Sequence, residues 1–520
     1  MQYDFIVIGS GIGGLTAASL LAKRGFSVMT LEGSHVAGGC ASSYTVKHGG
    51  EKFIFEAGAT TIVGLDEHQP LRNLETELNI TFPVVELSPS MTVHFADKNI
   101  IRYKDKSAWI EECYRKFFAE TNVSKTQVEK FWQLVFRLSD FVWQVSERNR
   151  TFPPRDFNDY WQLATHNSPL DFPKLRFLFK PTLDVIKQHG LDGSSDFVRF
   201  CDEQLMITSQ ATSAQVPFLY AAPCLAYTNS GNFYSYGGIL ALAETIIQKY
   251  KSLGGDIKFR EEVTLIARTG NGFKVTTASG NTFESKELVS NATIWNMATL
   301  TKGRISEHFR GLSQKFSFGW GAFTMSVAVK NHLPENLTLH HQFVLDAPVP
   351  HCTSKSFFIS LSAADDRQRQ PEGIRLFSVS MHTVAEPWLE PDGQAGESYA
   401  TKKAEVEQFI FAHLERHLAG FSQADIVFKT SATPKSWQEW TFRKNGRVGG
   451  LPNTMEKNVF DLIAPVTPFK GLYLVGDTVY PGQGIAGVCL SGQNAVHRIL
   501  NSSQPSRQTP LPTRVSEPVA

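Results

Sequence analysis

Two glycine-rich turns, each followed or preceded by an acidic side chain, are the residues whose types and spacing could do chemistry. They stand at opposite ends of the 520-residue chain. Near the start, Gly9-Ser10-Gly11-Ile12-Gly13-Gly14 carries the spacing G-x-G-x-x-G. Gly9 permits a tight turn, Gly11 lets backbone approach a pyrophosphate with no Cβ in the way, and Gly14 lets a helix pack closely on a strand. Glu32 lies about twenty residues further on, where an acid can accept hydrogen bonds from ribose hydroxyls and repel a 2′-phosphate. Near the far end, Gly476-Asp477 is followed by Gly482, Gly484 and Gly487.

The elements that must position these residues are legible around them. Residues 3–8 form an apolar run of strand length, 15–24 read as an Ala/Leu-rich helix, Gly25 stands at a helix C-cap, and 27–31 read as the next strand, ending at Glu32. This β-α-β order presents the free N–H groups of a helix N-terminus to phosphates. At the other end, 472–475 read as a buried strand, with Gly476-Asp477 at its edge and a helix from about Ile485 through Ala486 to Ile499.

Composition narrows the function classes. The formal net charge is +1, from 51 basic and 50 acidic residues, so nothing electrostatic points to nucleic acid. Six scattered cysteines without a C-x-x-C pair argue against a zinc site or a disulfide framework and fit a reducing compartment; no metal is expected. No signal peptide precedes the first strand, and no run of about twenty apolar residues exists to span a bilayer. Phenylalanine is abundant, at 38 residues, which suits large aromatic cores or an apolar ligand cavity.

Further motifs follow the first in order. Gly38-Gly39-Cys40-Ala41-Ser42-Ser43 suggests a second close backbone approach, with Ser42 or Ser43 as a hydroxyl donor, and 53–61 read as a strand breaking into a small-residue loop. Together with the glycine fingerprint and Glu32, these resemble the N-terminal half of the FAD site in flavin amine oxidases, phytoene desaturases and carotenoid isomerases. Most of that family carries Arg after the second glycine, where this chain has Cys40. The resemblance extends over residues 3 to about 500. It implies a backbone contact from Val263 to the adenine, a bond from Asp477 to the ribityl and phosphate side of FAD, and a helix N-terminus at Gly484, Ile485 and Ala486 near the pyrimidine end of the flavin. Negative charge developing there would be stabilised by that helix end.

The implied fold is α/β: a Rossmann-type FAD-binding domain of the amine-oxidase-like flavoprotein kind, discontinuous in sequence, with a mixed-sheet and helical substrate domain. Residues 1–85, 236–300 and 441–500 are expected to build the FAD-binding domain, 86–235 the helical and 301–440 the mixed-sheet part of the substrate domain, and 501–520 a disordered tail. Residues 124–148 read as an amphipathic helix rich in aromatics. Residues 172–186 interleave Phe172, Phe177 and Phe179 with Lys174, Arg176 and Lys180. Such stripes serve a core; beside basic residues, exposed aromatics would instead suit a lipophilic tunnel or an interfacial surface. Pro217 and Pro223 are expected to break the apolar run they flank.

The stretch 475–492 resembles carotenoid desaturases and isomerases more than amine oxidases, and over the whole chain the likeness is to bacterial C-3′,4′ carotenoid desaturases of the cyanobacterial kind. The implied activity is dehydrogenation of a C–C bond beside a polyene, with hydride passing to FAD. No catalytic base is expected, and His35, His48, His341 and His497 are read as structural or exposed. A carotenoid isomerase using reduced FAD and a non-catalytic lipid-binding protein on the same fold are the alternatives. A hydrophobic polyene is the expected partner, with peripheral contact on the cytoplasmic side of a membrane. The oligomeric state is left open.

Overall fold

The computed structural model describes residues 2–389, 398–457 and 461–502. Its first sheet is built from three distant stretches of chain. The strand Gln2–Ile8 lies parallel between Val28–Leu31 and Thr282–Ser290. Asp256–Lys258 extends one side, and the antiparallel strands Gly272–Thr277 and Val263–Thr269 extend the other. Leu472–Leu474 adds in parallel to the inner end of Thr282–Ser290. Parallel strands buried on both faces read as continuous apolar runs, which is why Val28–Leu31 and Leu472–Leu474 are buried at every position. Thr282–Ser290 is one strand although its charged middle, Glu284 to Glu287, interrupts the apolar pattern.

The helix Ile12–Lys23 is buried at every residue except Lys23, packed between Ile485–Ser502 and Leu240–Ser252. Gly25 closes it with φ +86° and donates to the Ala22 carbonyl. Gly14 must be glycine: a Cβ there would stand 2.1 Å from the Gly9 carbonyl oxygen. The helix Gly303–Lys315 packs Ile305 and Phe309 into a second core with Ile6, Ile8 and Met29, side chains that alternate along the strands with those facing Ile12–Lys23.

The second sheet runs in the order 426–432, 321–330, 374–383, 356–361, 340–344, 91–94, 99–102. Its last two strands come from early in the chain, Met91–His94 pairing in parallel with His340–Val344. Helices of the 106–225 region cover this end. Phe131, Trp132, Phe136 and Phe141 on Lys125–Arg148 are all buried there, each ring removing about 150–250 Å² from water. Ser124 and Gln127 form the capping box of that helix. Pro217 and Pro223 do not end the apolar run. Pro217 caps the short helix Phe218–Leu225 and Pro223 sits inside it, tolerated because an eight-residue helix loses only one internal hydrogen bond to it. The final helix continues through residues 501 and 502, and the remainder of the expected tail, 503–520, lies outside the described residues. No helix among the described residues is long and apolar enough to cross a membrane.

Candidate functional site

A cavity of about 630 Å³ lies between the two sheets and reaches from the glycine turns to the helical region. Gly9, Gly11, Gly13, Glu32, Gly38, Gly39, Val263, Gly476, Asp477, Gly484, Ile485 and Ala486 all line it. The two expected halves of the site therefore meet on one wall. Gly14 and Ser42 do not line it. Gly14 serves the helix–strand contact. Ser42 lies behind the wall with its hydroxyl buried and unpartnered, and Ser43 donates to Glu56 instead, so neither serine hydroxyl is offered to a ligand here.

The glycine turn is a cradle that side chains would fill. A Cβ on Gly11 would meet Asn291 Nδ2 at 2.7 Å, and one on Gly476 would meet Asn291 Oδ1 at 2.6 Å. Asn291 thus sits between both glycine turns, its backbone N–H donating to the Ile8 carbonyl. Nothing local in the sequence marks it. Glu32 is oriented by three donors, the Ser10 amide at 2.7 Å, the Ser10 hydroxyl at 2.6 Å and the Ser34 amide at 2.8 Å. These bonds tie the end of the second strand to the first turn and leave lone pairs for ribose hydroxyls.

Among the described residues, four carboxylates, Glu32, Glu261, Glu262 and Asp477, line this half of the cavity, against a single cation, Arg443. Its guanidinium donates to Asp477 Oδ2 at 2.6 Å and to the Arg447 carbonyl at 2.6 Å. Burial works against the Arg443 charge, but the Asp477 carboxylate more than offsets it and holds its pKa above the usual value. Burial also raises the Cys40 thiol, so it stays neutral in the wall. Arg443 thus brings a guanidinium beside Cys40, the position at which the sequence has no arginine; sequence reading missed it because it follows the helix Pro434–Thr441, far from either glycine motif. A glycine cradle open to close backbone approach, an acid for ribose and a guanidinium in the same wall fit FAD, whose pyrophosphate needs both close approach and positive charge.

The other half of the cavity has a different character. Val142, Trp143, Met206, Ile207, Tyr220, Tyr227, Phe358 and Met381 line it, with Thr60, Ser356 and Ser380 on the sheet side, and among the described residues no charged side chain faces it. Among the described residues His382 is the one histidine in the wall, and burial pushes its pKa down to about 4, so it is neutral near pH 7. His35, His48, His341 and His497 stand away from the cavity. His341 pairs with His94 at 2.9 Å inside the second sheet. Among the described residues no cluster of three or more His, Cys, Asp or Glu could hold a metal.

Known proteins resemble this chain along nearly its whole length. The family model described as "Flavin containing amine oxidoreductase" matches residues 12–500. A prolycopene isomerase from Daucus carota is 26% identical over 98% of this chain and 82% of its own length. A carotenoid 3,4-desaturase from Haloarcula japonica is 21% identical over 96% of this chain and 98% of its own. An oxidoreductase from Methanosarcina mazei superposes with a TM-score of 0.61 at 16% identity, covering 96% of this chain and 99% of that one, a likeness of fold.

Proposed function

The chain belongs to the flavin containing amine oxidoreductase family, with FAD as its cofactor, and from that premise we propose that it is a carotenoid desaturase that introduces a C=C bond beside a polyene, at C-3′,4′. The observation that carries this reading is the charge-free half of the cavity. Among the described lining residues, every carboxylate and the one guanidinium stand on the nucleotide side, while the far half offers aromatic and aliphatic walls with small hydroxyls. An amine substrate would bring a cation that this half has no charge to receive. A long hydrocarbon loses nothing by entering it.

FAD, when bound, supplies a two-electron acceptor. The substrate loses two hydrogens, one as hydride and one as a proton released toward solvent, and its polyene spreads the developing cation. Residues such as Trp143, Tyr220 and Phe358 then hold the chain in register and exclude water. Arg443 and the glycine turns hold the nucleotide. Neutral His382 adds no charge beside the hydrocarbon. Because a polyene partitions into lipid, the reading has the protein working in peripheral contact with a membrane.

A second reading, cis–trans isomerisation with reduced FAD and no net oxidation, is favoured by the similarity to the Daucus carota prolycopene isomerase. Expression in a bacterial host that accumulates lycopene or a monocyclic carotene separates the two. A pigment lighter by two hydrogens supports the desaturase. An unchanged mass with a shifted retention time supports the isomerase, and unchanged pigments remove both.

A further inference from the structure

Six of the ten exposed large hydrophobic side chains among the described residues fall in one short segment, 157–179. Phe157 and Trp161 stand one turn apart on the helix Phe157–Thr165, at 82% and 61% exposure. Leu170, Phe172 and Phe179 follow on the 3₁₀ turns of Pro169–Phe179. The segment is not loosely attached. Asp159, on the inner face of its helix, receives both bonds of the Arg498 Nη1 group at 2.5 and 2.6 Å from the final helix, so the apolar face is held outward by a buried ion pair.

Beside this face is a depression of about 300 Å³ whose wall, among the described residues, carries Lys130, Arg137, Arg176 and Lys180 and no carboxylate. Among the described residues, none of these four forms an ion pair. Arg176 lies over the Phe177 ring at 4.9 Å, and Lys180 reaches only Gln188. Four cations converging in one concavity repel one another unless an anion enters. In a chain of net charge +1, this concentration is a property of one face.

We propose that this face docks on an anionic phospholipid bilayer, with Phe157, Trp161, Leu170 and Phe179 seated at the acyl boundary and the four cations holding lipid phosphates. Aromatic anchors flanked by basic residues are the composition that partitions into that boundary, and the attraction to anionic lipid adds to the apolar burial. The location matters for the proposed activity. Asn149 bonds to Asn167 and Arg148 reaches Asp171 of the docking segment, just past Trp143 and Ser146, which wall the apolar half of the cavity. A hydrocarbon leaving the bilayer at this face enters next to that wall. This last step rests on the carotenoid reading; the docking itself does not.

The test is co-sedimentation of the flavin-loaded protein with vesicles of phosphatidylcholine alone or mixed with phosphatidylglycerol. The expected result is at least tenfold stronger binding to the mixed vesicles. That binding should be lost in both Phe157→Ser/Trp161→Ser and Lys130→Glu/Arg137→Glu, with flavin absorbance and melting temperature unchanged. Failure of the wild-type protein to bind, or equal binding by both variants, overturns the proposal. A dimer that the Phe157→Ser/Trp161→Ser pair dissociates, in a protein that ignores vesicles, overturns it too. Because no turnover is read, a protein inactive on every carotenoid would still give a clear result here.

Discussion

Arg443 and Asp477 meet at 2.6 Å inside the cavity, the one cation among its described lining residues bonded to the carboxylate that follows Gly476. The pair arrives from two loops, and each side chain is largely buried. Removing one partner of such a pair leaves the other unpaired in a poorly solvated site, while removing both costs less.

Arg443→Ala is therefore expected to weaken FAD binding at least about tenfold, about 1.4 kcal/mol, with Asp477→Ala also weakened and the double variant less affected than the sum. Cys40→Arg in the Arg443→Ala background should recover part of the loss by returning a guanidinium to the same wall. Flavin fluorescence on titrating apoprotein reads all four. An Arg443→Ala protein with wild-type affinity would remove Arg443 from the cofactor site.

Two glycines of the same turn should fail in different ways. Gly14→Ala places a methyl against the Gly9 carbonyl at 2.1 Å, backbone that cannot swing away, so the melting temperature should fall steeply with or without FAD. Gly11→Val meets the Asn291 side chain, which can move, so the fold should persist while flavin binding is lost. Thermal melts of apoprotein beside flavin content separate the two outcomes. A Gly11→Val protein that purifies yellow contradicts the cradle.

The second sheet should make the protein acid-sensitive. Burial pushes His94 and His340 down to about 4 and His341 to about 3, from 6.5. Above pH 6.5 these groups are neutral folded and unfolded, and contribute nothing to the slope. Below it the unfolded chain takes up protons that the folded chain refuses, so stability falls between about pH 6.5 and 4, by about 1.4 kcal/mol per pH unit for each proton excluded. His340→Gln, able to keep the bond to Ser360, should flatten the pH dependence of the melting temperature. An unaltered slope would assign the acid loss elsewhere.

The Asp159–Arg498 pair that holds the apolar segment outward should be costly to break from one side. Asp159→Asn leaves the guanidinium buried with carbonyl partners alone, and a loss of about 3–5 kcal/mol is expected. Denaturant melts check the magnitude. A change under about 1 kcal/mol would mean that water replaces the carboxylate.

Both glycine turns, Glu32, Asp477 and the β-α-β unit were legible in the residues alone, as was the buried aromatic face of Lys125–Arg148. Their information is local. A backbone that must approach a phosphate excludes a Cβ at that position, and a helix face repeats within a few residues. Only the tertiary structure set Arg443 opposite Asp477, put Asn291 between the two turns, joined Met91–His94 to His340–Val344 and left Phe157 and Phe179 outside while Phe177 went in. Those outcomes depend on which distant surfaces cover which residues, and an isolated Arg, Asn or Phe carries no local sign of the partner that folding will bring to it.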